Sequence, residues 1–266
     1  MRELGVRTLV AEEPVSIYES LAGKTMNKDD KQEKQETRST DAPQQQTSAP
    51  PPPPDNAPDV TAELESVTSL AELEQRVRAF EGCDLKKTAT NTVFARGRPD
   101  KGLMFIGEAP GNDEDLQGLP FVGKSGQLLD EALRWAGFDV PQDCYISNMI
   151  FWRPPGNRAP SMHEISACLP FVERHVALVK PRLLVFLGGV AAKTLLASSA
   201  GITTLRRGWH DYQPASLDAP IKTKALFHPA YLLRAPGQKR LFWRDILELR
   251  QEFEAVQSTS STSSTS

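Results

Sequence analysis

The stretch 106–126, reading IGEAPGNDEDLQGLPFVGKSG, constrains this chain more than any other. An apolar run at 103–106 precedes it, short enough for a buried strand. An amphipathic run at 127–136 follows it with helical spacing. Between the two lie Gly107, Gly111, Gly118 and Gly123, two prolines, a cluster of acids and one aromatic, Phe121. Glycine permits tight turns and close backbone approach to a ligand. A glycine-rich crossing from a parallel strand to a helix is where open α/β sheets bind their ligands.

Residues 118–125 also spell G-x-x-x-x-G-K-S, the phosphate-loop pattern of P-loop NTPases. That loop follows directly on a strand, whereas 112–117 are polar and acidic. Pro120 has no N–H to offer a phosphate. The later apolar run at 183–187 leads into Gly188 and Gly189 rather than a magnesium-binding aspartate. The nucleotide-hydrolase reading stays as an alternative, to be selected by ATP turnover.

The first sixty residues hold seven Lys/Arg against eleven Asp/Glu, and the remainder holds 24 against 23. The folded part is thus no basic nucleic-acid coat, and any DNA contact must use a local positive patch. Three cysteines, Cys83, Cys144 and Cys168, are too few for a secreted disulfide framework. With no apolar run of membrane-spanning length and no hydrophobic leader at the start, a cytoplasmic location is the default.

Residues 1–60 read as an N-terminal extension, mostly disordered, with a short helical pattern near Ser16 and a Pro/Gln-rich linker at 24–58. The domain is expected over 61–256, with a disordered Ser/Thr tail at 257–266. Ser69 and Glu72, and likewise Ser161 and Glu164, read as capping boxes that open helices. Four strands are expected, at 103–107, 144–149, 183–187 and 224–227. Helical patterns separate them at 126–136, 163–179 and 190–197, and a last helix is expected at 239–256. Strands alternating with helices imply an α/β fold, a three-layer α/β/α sandwich around a four-stranded parallel sheet. Gly107, Asn148, Gly188 and His228 then all follow strand ends, on one rim of the sheet.

The block GEAPGNDED followed by LPFVGKSGQLL resembles the first motif region of the family 4 uracil-DNA glycosylases. Two further blocks agree in order: Tyr145-Ile-Ser-Asn148 with Arg153-Pro-Pro-Gly-Asn-Arg158, and His228-Pro-Ala-Tyr-Leu-Leu-Arg234. The resemblance runs from about 70 to 249 and implies a monofunctional glycosylase. Such an enzyme flips uracil out of DNA, hydrolyses its N-glycosidic bond and so initiates base excision repair. It implies uracil-containing DNA, single- or double-stranded, as the partner of a monomer. By resemblance Phe121 stacks on the base; read alone it could equally be a core phenylalanine. Asn148 would read the uracil edge, and His228 would donate to the charge developing on uracil O2. His163, His175 and His210 have no metal-ligand spacing and read as structural. Glu108, then Glu114, are the candidates for handling the water; either could instead stabilise the turn. Leu232, Leu233 and Arg234 resemble the intercalation loop, with core packing the alternative for the leucines. Lys124, Ser125 and Arg234 would hold phosphates, with Gly188 offering its N–H to another. A catalytically silent DNA-damage binder is a further alternative.

The family carries a 4Fe-4S cluster on four cysteines, and this chain departs from that pattern. Cys83 and Cys168 match two of the ligands, whereas Phe80 and Trp152 stand where the other two belong. Phe and Trp offer no thiolate. A protein without the cluster, and with no other metal, is expected. Cys144 falls at the wrong place and reads as a small buried hydrophobe. One branch of the family is trapped covalently on its product through a histidine in a basic insertion near the R-P-P-G block. Residues 153–160 carry neither, so ordinary turnover is expected.

Overall fold

A computed structural model describes residues 60–214 and 216–262. The chain divides into two units, Met1–Pro52 and Pro53–Ser266, and the described residues all belong to the second. The expected extension, its helical pattern near Ser16 and its Pro/Gln-rich linker lie outside the described residues.

Helices α1 (Val60–Glu65) and α2 (Leu70–Ala79) open the domain, followed by strands β1 (Ala95–Gly97) and β2 (Leu103–Gly107). Next come α3 (Asn112–Gln117), α4 (Lys124–Trp135), α5 (Val140–Asp143) and β3 (Tyr145–Asn148). The chain continues through α6 (Met162–Val179), β4 (Leu183–Leu187), α7 (Gly189–Leu195), α8 (Ile202–Leu205) and β5 (Trp209–Tyr212). It closes with β6 (Ile221–Leu226), α9 (Pro229–Arg234) and α10 (Lys239–Thr262).

The sheet has six strands, in the order β1-β3-β2-β4-β6-β5, rather than the expected four. The central four are parallel and correspond to the expected ones. The added strands are antiparallel edges, β1 on β3 and β5 on β6. Neither edge has an apolar run: Ala-Arg-Gly and Trp-His-Asp-Tyr are half-exposed strands that hydrogen bonding to a neighbour creates. The central strands β2, β3 and β4 are buried on both faces, which is why they read as continuous apolar segments.

Alternation along β2 and β4 feeds two cores. Met104, Ile106, Leu184 and Phe186 pack with α1, α2, α6 and α7 on one face. Leu103, Phe105, Leu183 and Val185 pack with α4, α9 and α10 on the other. This is the expected three-layer arrangement. At α6, Ser161 Oγ accepts the Glu164 N–H at 3.3 Å and Glu164 Oε2 accepts the Ser161 N–H at 2.7 Å. At α2 only half of the expected box forms: Ser69 Oγ accepts the Glu72 N–H, while Glu72 reaches the N–H of Thr68 instead. The last helix outruns its expected end at 256 and continues to Thr262, into the segment expected as a tail. Among the described residues no helix is long and apolar enough to cross a membrane.

The segment before Gly118 is α3, a helix, and Gly118 is its left-handed cap with φ +71. A phosphate loop needs a strand there, so the G-x-x-x-x-G-K-S match carries no nucleotide site. The alternative built on it is discarded.

Candidate active site

The carboxyl ends of β2, β3 and β6 meet at a pocket of about 410 Å³. Glu108 follows β2, Asn148 ends β3, His228 follows β6, and Phe121 enters from the loop between α3 and α4; all four line the pocket. The steric demand on Gly107 shows how tightly they meet. A Cβ there would lie 2.4 Å from Asn148 Oδ1 and 2.5 Å from the Phe121 ring. The Phe121 and His228 rings lie 5.7 Å apart at 33°.

Phe121 is a non-glycine residue with φ +55, a conformation that costs about 1–3 kcal/mol unless its surroundings enforce it. Two charged side chains enforce it. Arg96 donates to Pro120 O at 2.8 Å and Phe121 O at 3.2 Å, and its guanidinium is anchored on Asp130 at 2.6 Å. Glu114, almost fully buried, accepts the N–H groups of Gly111, Val122 and Gly123 at 2.9–3.1 Å. The ring is thereby held against the pocket wall with 5% exposure. Arg96 carries no signal in the sequence. It sits on an edge strand, and its partners lie 24 to 34 residues away.

Asn148 is 2% exposed, and its Oδ1 is buried with no hydrogen-bond partner among the described residues. A buried amide oxygen left unpaired costs about 1–3 kcal/mol. His228 Nδ1 accepts the Ala230 N–H at 3.2 Å, which leaves the imidazole proton on Nε2 as a donor. Burial, with Arg234 beside it, depresses the His228 pKa to about 4, so the ring is neutral at pH 7. Gly188 has φ +98, and a Cβ there would come within 3.0 Å of the His228 side chain. Burial raises the pKa of Glu108, whose carboxylate has no ion pair or hydrogen bond among the described residues.

The residues expected to contact DNA do not all lie at the surface of the pocket rim. Gly188 does not offer its N–H to a phosphate, because Leu226 O already accepts it at 2.9 Å. Its function in the fold is to leave room for His228. Leu232 is fully buried in the core beneath α9, so it cannot enter a duplex. On the same short helix Leu233 is 45% exposed, and Arg234 is exposed and lines the pocket. Ser125 lines the pocket too, and Lys124 is exposed at the start of α4. Of the remaining histidines, His175 is buried against Phe94 and bonded to Tyr145 Oη, and His210 is bonded to Leu205 O. Both are structural.

The family's cluster would need four thiolates, and the corner of the fold where it belongs does not fit it. Cys83 and Cys168 are buried and share a thiol–thiol hydrogen bond, which lowers the Cys83 pKa toward about 7, while burial and the same contact raise Cys168. Beside them are rings: Phe80 stacks with Trp152 at 6.5 Å and meets Phe171 at 4.8 Å. Burial raises the Cys144 thiol far above its usual range.

Fold and site together define an α/β protein with a pocket at the carboxyl rim of a parallel sheet, walled by an aromatic ring, an unpaired amide oxygen and a neutral imidazole. Comparison with known proteins narrows this class. The sequence profile of the Uracil DNA glycosylase superfamily matches residues 94–249. The Type-4 uracil-DNA glycosylase of Pyrobaculum aerophilum is 36% identical over 180 residues, covering 66% of this chain and 91% of that one. That of Archaeoglobus fulgidus is 35% identical over 189 residues, covering 70% and 89%. That of Thermotoga maritima is 36% identical over 162 residues, covering 61% and 82%. The chain belongs to the uracil-DNA glycosylase superfamily.

Proposed function

We propose that this protein is a uracil-DNA glycosylase of the type-4 kind, which hydrolyses the bond between uracil and deoxyribose and leaves an abasic site. The observation that carries the reading is the unpaired, buried Asn148 Oδ1 beside the Phe121 ring and the neutral His228.

Uracil presents N3–H as a donor flanked by the acceptors O2 and O4. Asn148 Oδ1 accepts N3–H, and its amide donates to O4. Cytosine offers an acceptor at N3 and a donor at C4, so it would leave both Asn148 groups buried and unpaired. Phe121 supplies the stacking face, worth about 1–3 kcal/mol, against the few kcal/mol that flipping a nucleotide costs. As the glycosidic bond breaks, its electron pair moves into the base and negative charge grows on O2. His228 Nε2–H donates to that oxygen. Since Nδ1 is engaged with Ala230 N–H, the donor is already oriented, which is the preorganisation that stabilises developing anions.

Glu108 orients the water that adds to the sugar carbon. Its unpartnered carboxylate faces the pocket, and burial makes it a stronger base once ionised. Glu114 holds the loop, since both of its oxygens already accept backbone N–H groups. Leu233 enters the gap left in the stack, and Arg234, Lys124 and Ser125 take phosphates. The enzyme works as a monomer on single- or double-stranded DNA and without an iron–sulfur cluster, the Phe80–Trp152–Phe171 stack filling that corner.

The test is uracil release from an oligonucleotide, read by alkaline strand cleavage. Wild type is expected to release uracil as a colourless preparation, and His228→Ala to lose about 10²–10³ in kcat. A protein that binds uracil-containing DNA without releasing the base would overturn the catalytic reading in favour of a damage binder. Stoichiometric iron would overturn the cluster-free one.

A further inference from the structure

A second concavity, an apolar groove of about 380 Å³, lies between α4 and α10, with Leu128, Ala132 and Trp135 facing Phe242 and Trp243. Two helices connect it to the active site. On α4, Ser125 lines the pocket. Ser125, Leu128, Ala132 and Trp135 are spaced three, four and three residues apart, so they share one helix face. On α9, Tyr231 and Arg234 line the pocket while Leu232 forms the groove floor. The groove therefore starts one turn from the pocket mouth. From Leu128 to Trp135 it runs about 10 Å along α4 at 1.5 Å per residue, the length of about three stacked nucleotides at 3.4 Å each.

Its walls are aromatic and its approaches cationic. Trp135 is 77% exposed and Trp243 37%, an unusual exposure for the largest apolar side chain. Lys239 lines the groove and Arg134 precedes Trp135, while Lys124 and Arg234 lie toward the pocket. All four are exposed, and none has a side-chain ion pair among the described residues. Glu131 is the one acid among the groove-lining residues. Free cations that can follow phosphates, set beside exposed rings that can stack on bases of any sequence, are the composition of a single-strand groove. A protein helix could use the apolar walls. It would not explain why the groove continues the face that leads out of a nucleotide pocket.

We propose that this groove is a second DNA-binding site, in which Trp135 and Trp243 stack on unpaired bases flanking the flipped nucleotide. The proposal rests on the glycosylase reading for its substrate. It predicts that single-stranded uracil DNA with long flanks is bound better than the same strand cut back to one nucleotide on either side of the uracil.

The test compares wild type, Trp135→Ala and Trp135→Ala/Trp243→Ala on those two substrates. For the long strand, KM is expected to rise about 5- to 150-fold per lost stacking contact, with kcat unchanged. For the short one, kcat/KM should be unaffected. Trp135 is exposed enough that its single substitution should spare the fold. Adding uracil-free oligothymidylate should quench tryptophan fluorescence in wild type and in His228→Ala, and not in the double variant. If KM for the long strand is the same in all three proteins, the proposal fails although uracil release stands. It fails likewise if the double substitution abolishes a dimer seen by sedimentation and leaves KM untouched. A wild type that releases no uracil sinks the glycosylase reading instead, and the oligothymidylate quench then decides the groove alone.

Discussion

Gly107→Ala tests whether the pocket is as tight as its geometry requires. Gly107 ends β2, and its backbone is not left-handed, so alanine meets no conformational penalty there. The penalty is steric. The new Cβ would fall 2.4 Å from Asn148 Oδ1 and 2.5 Å from Phe121 Cζ, whereas ordinary contact begins near 3.4 Å. Each of the two neighbours must therefore give way by about 1 Å. Neither is free to do so: Phe121 belongs to a loop clamped by Arg96 and Glu114, and Asn148 is locked into the register of β3 against β2.

Forcing an extra methyl into a packed site costs about 1–3 kcal/mol of stability. A misplacement of 1 Å costs about 10²-fold in rate. The expected result is a folded protein, a few degrees less stable to heat, whose kcat/KM for uracil release falls by about two orders of magnitude. Gly208→Ala is the control, since a Cβ at Gly208 meets nothing within 4 Å. It should match wild type in both measurements. Wild-type kcat/KM in a folded Gly107→Ala protein would refute the convergence of Phe121 and Asn148 on one base.

Two further outcomes are expected. Leu232→Ala should destabilise the domain by about 2–5 kcal/mol, because Leu232 is fully buried. Leu233→Ala should leave thermal stability alone and weaken productive binding to duplex substrate; the reverse pattern would exchange the roles of the two leucines. Burial lowers the pKa values of His175 and His228 to about 3 and about 4, so the fold keeps both neutral where the unfolded chain protonates them near 6.5. The unfolded state thus takes up protons as pH falls below 6.5, and stability present above that pH is lost on the way down toward 4. Burial raises Glu108 and Glu173, which works in the opposite direction at the acid end of this window. Comparison with His175→Gln isolates the imidazole: its melting temperature should fall less steeply between pH 6.5 and 5 than that of wild type. Equal slopes would refute the buried neutral histidine.

The central strands were legible because burial on both faces forces apolar runs, and the blocks that line the pocket were legible because each follows one of those runs. The edge strands β1 and β5 were not. Their identity as strands comes from pairing with β3 and β6, not from their own residues. The same distinction divides the site. Asn148, Phe121 and His228 could be named from sequence, since each falls in a motif at a strand end or in the long loop. Arg96, on which the strained Phe121 backbone depends, could not, because its partners converge only after β1 has paired with β3. Leu232 and Leu233 separate for a related reason. Adjacent residues on a helix project about 100° apart, and which of the two meets the core is decided by where α9 sits against α4 and α10. Local pattern locates the side chains that line the pocket here, whereas tertiary pairing determines those that hold them in place. A substitution at Arg96 should therefore be as damaging to base stacking as one at Phe121, with no contact to the base at all.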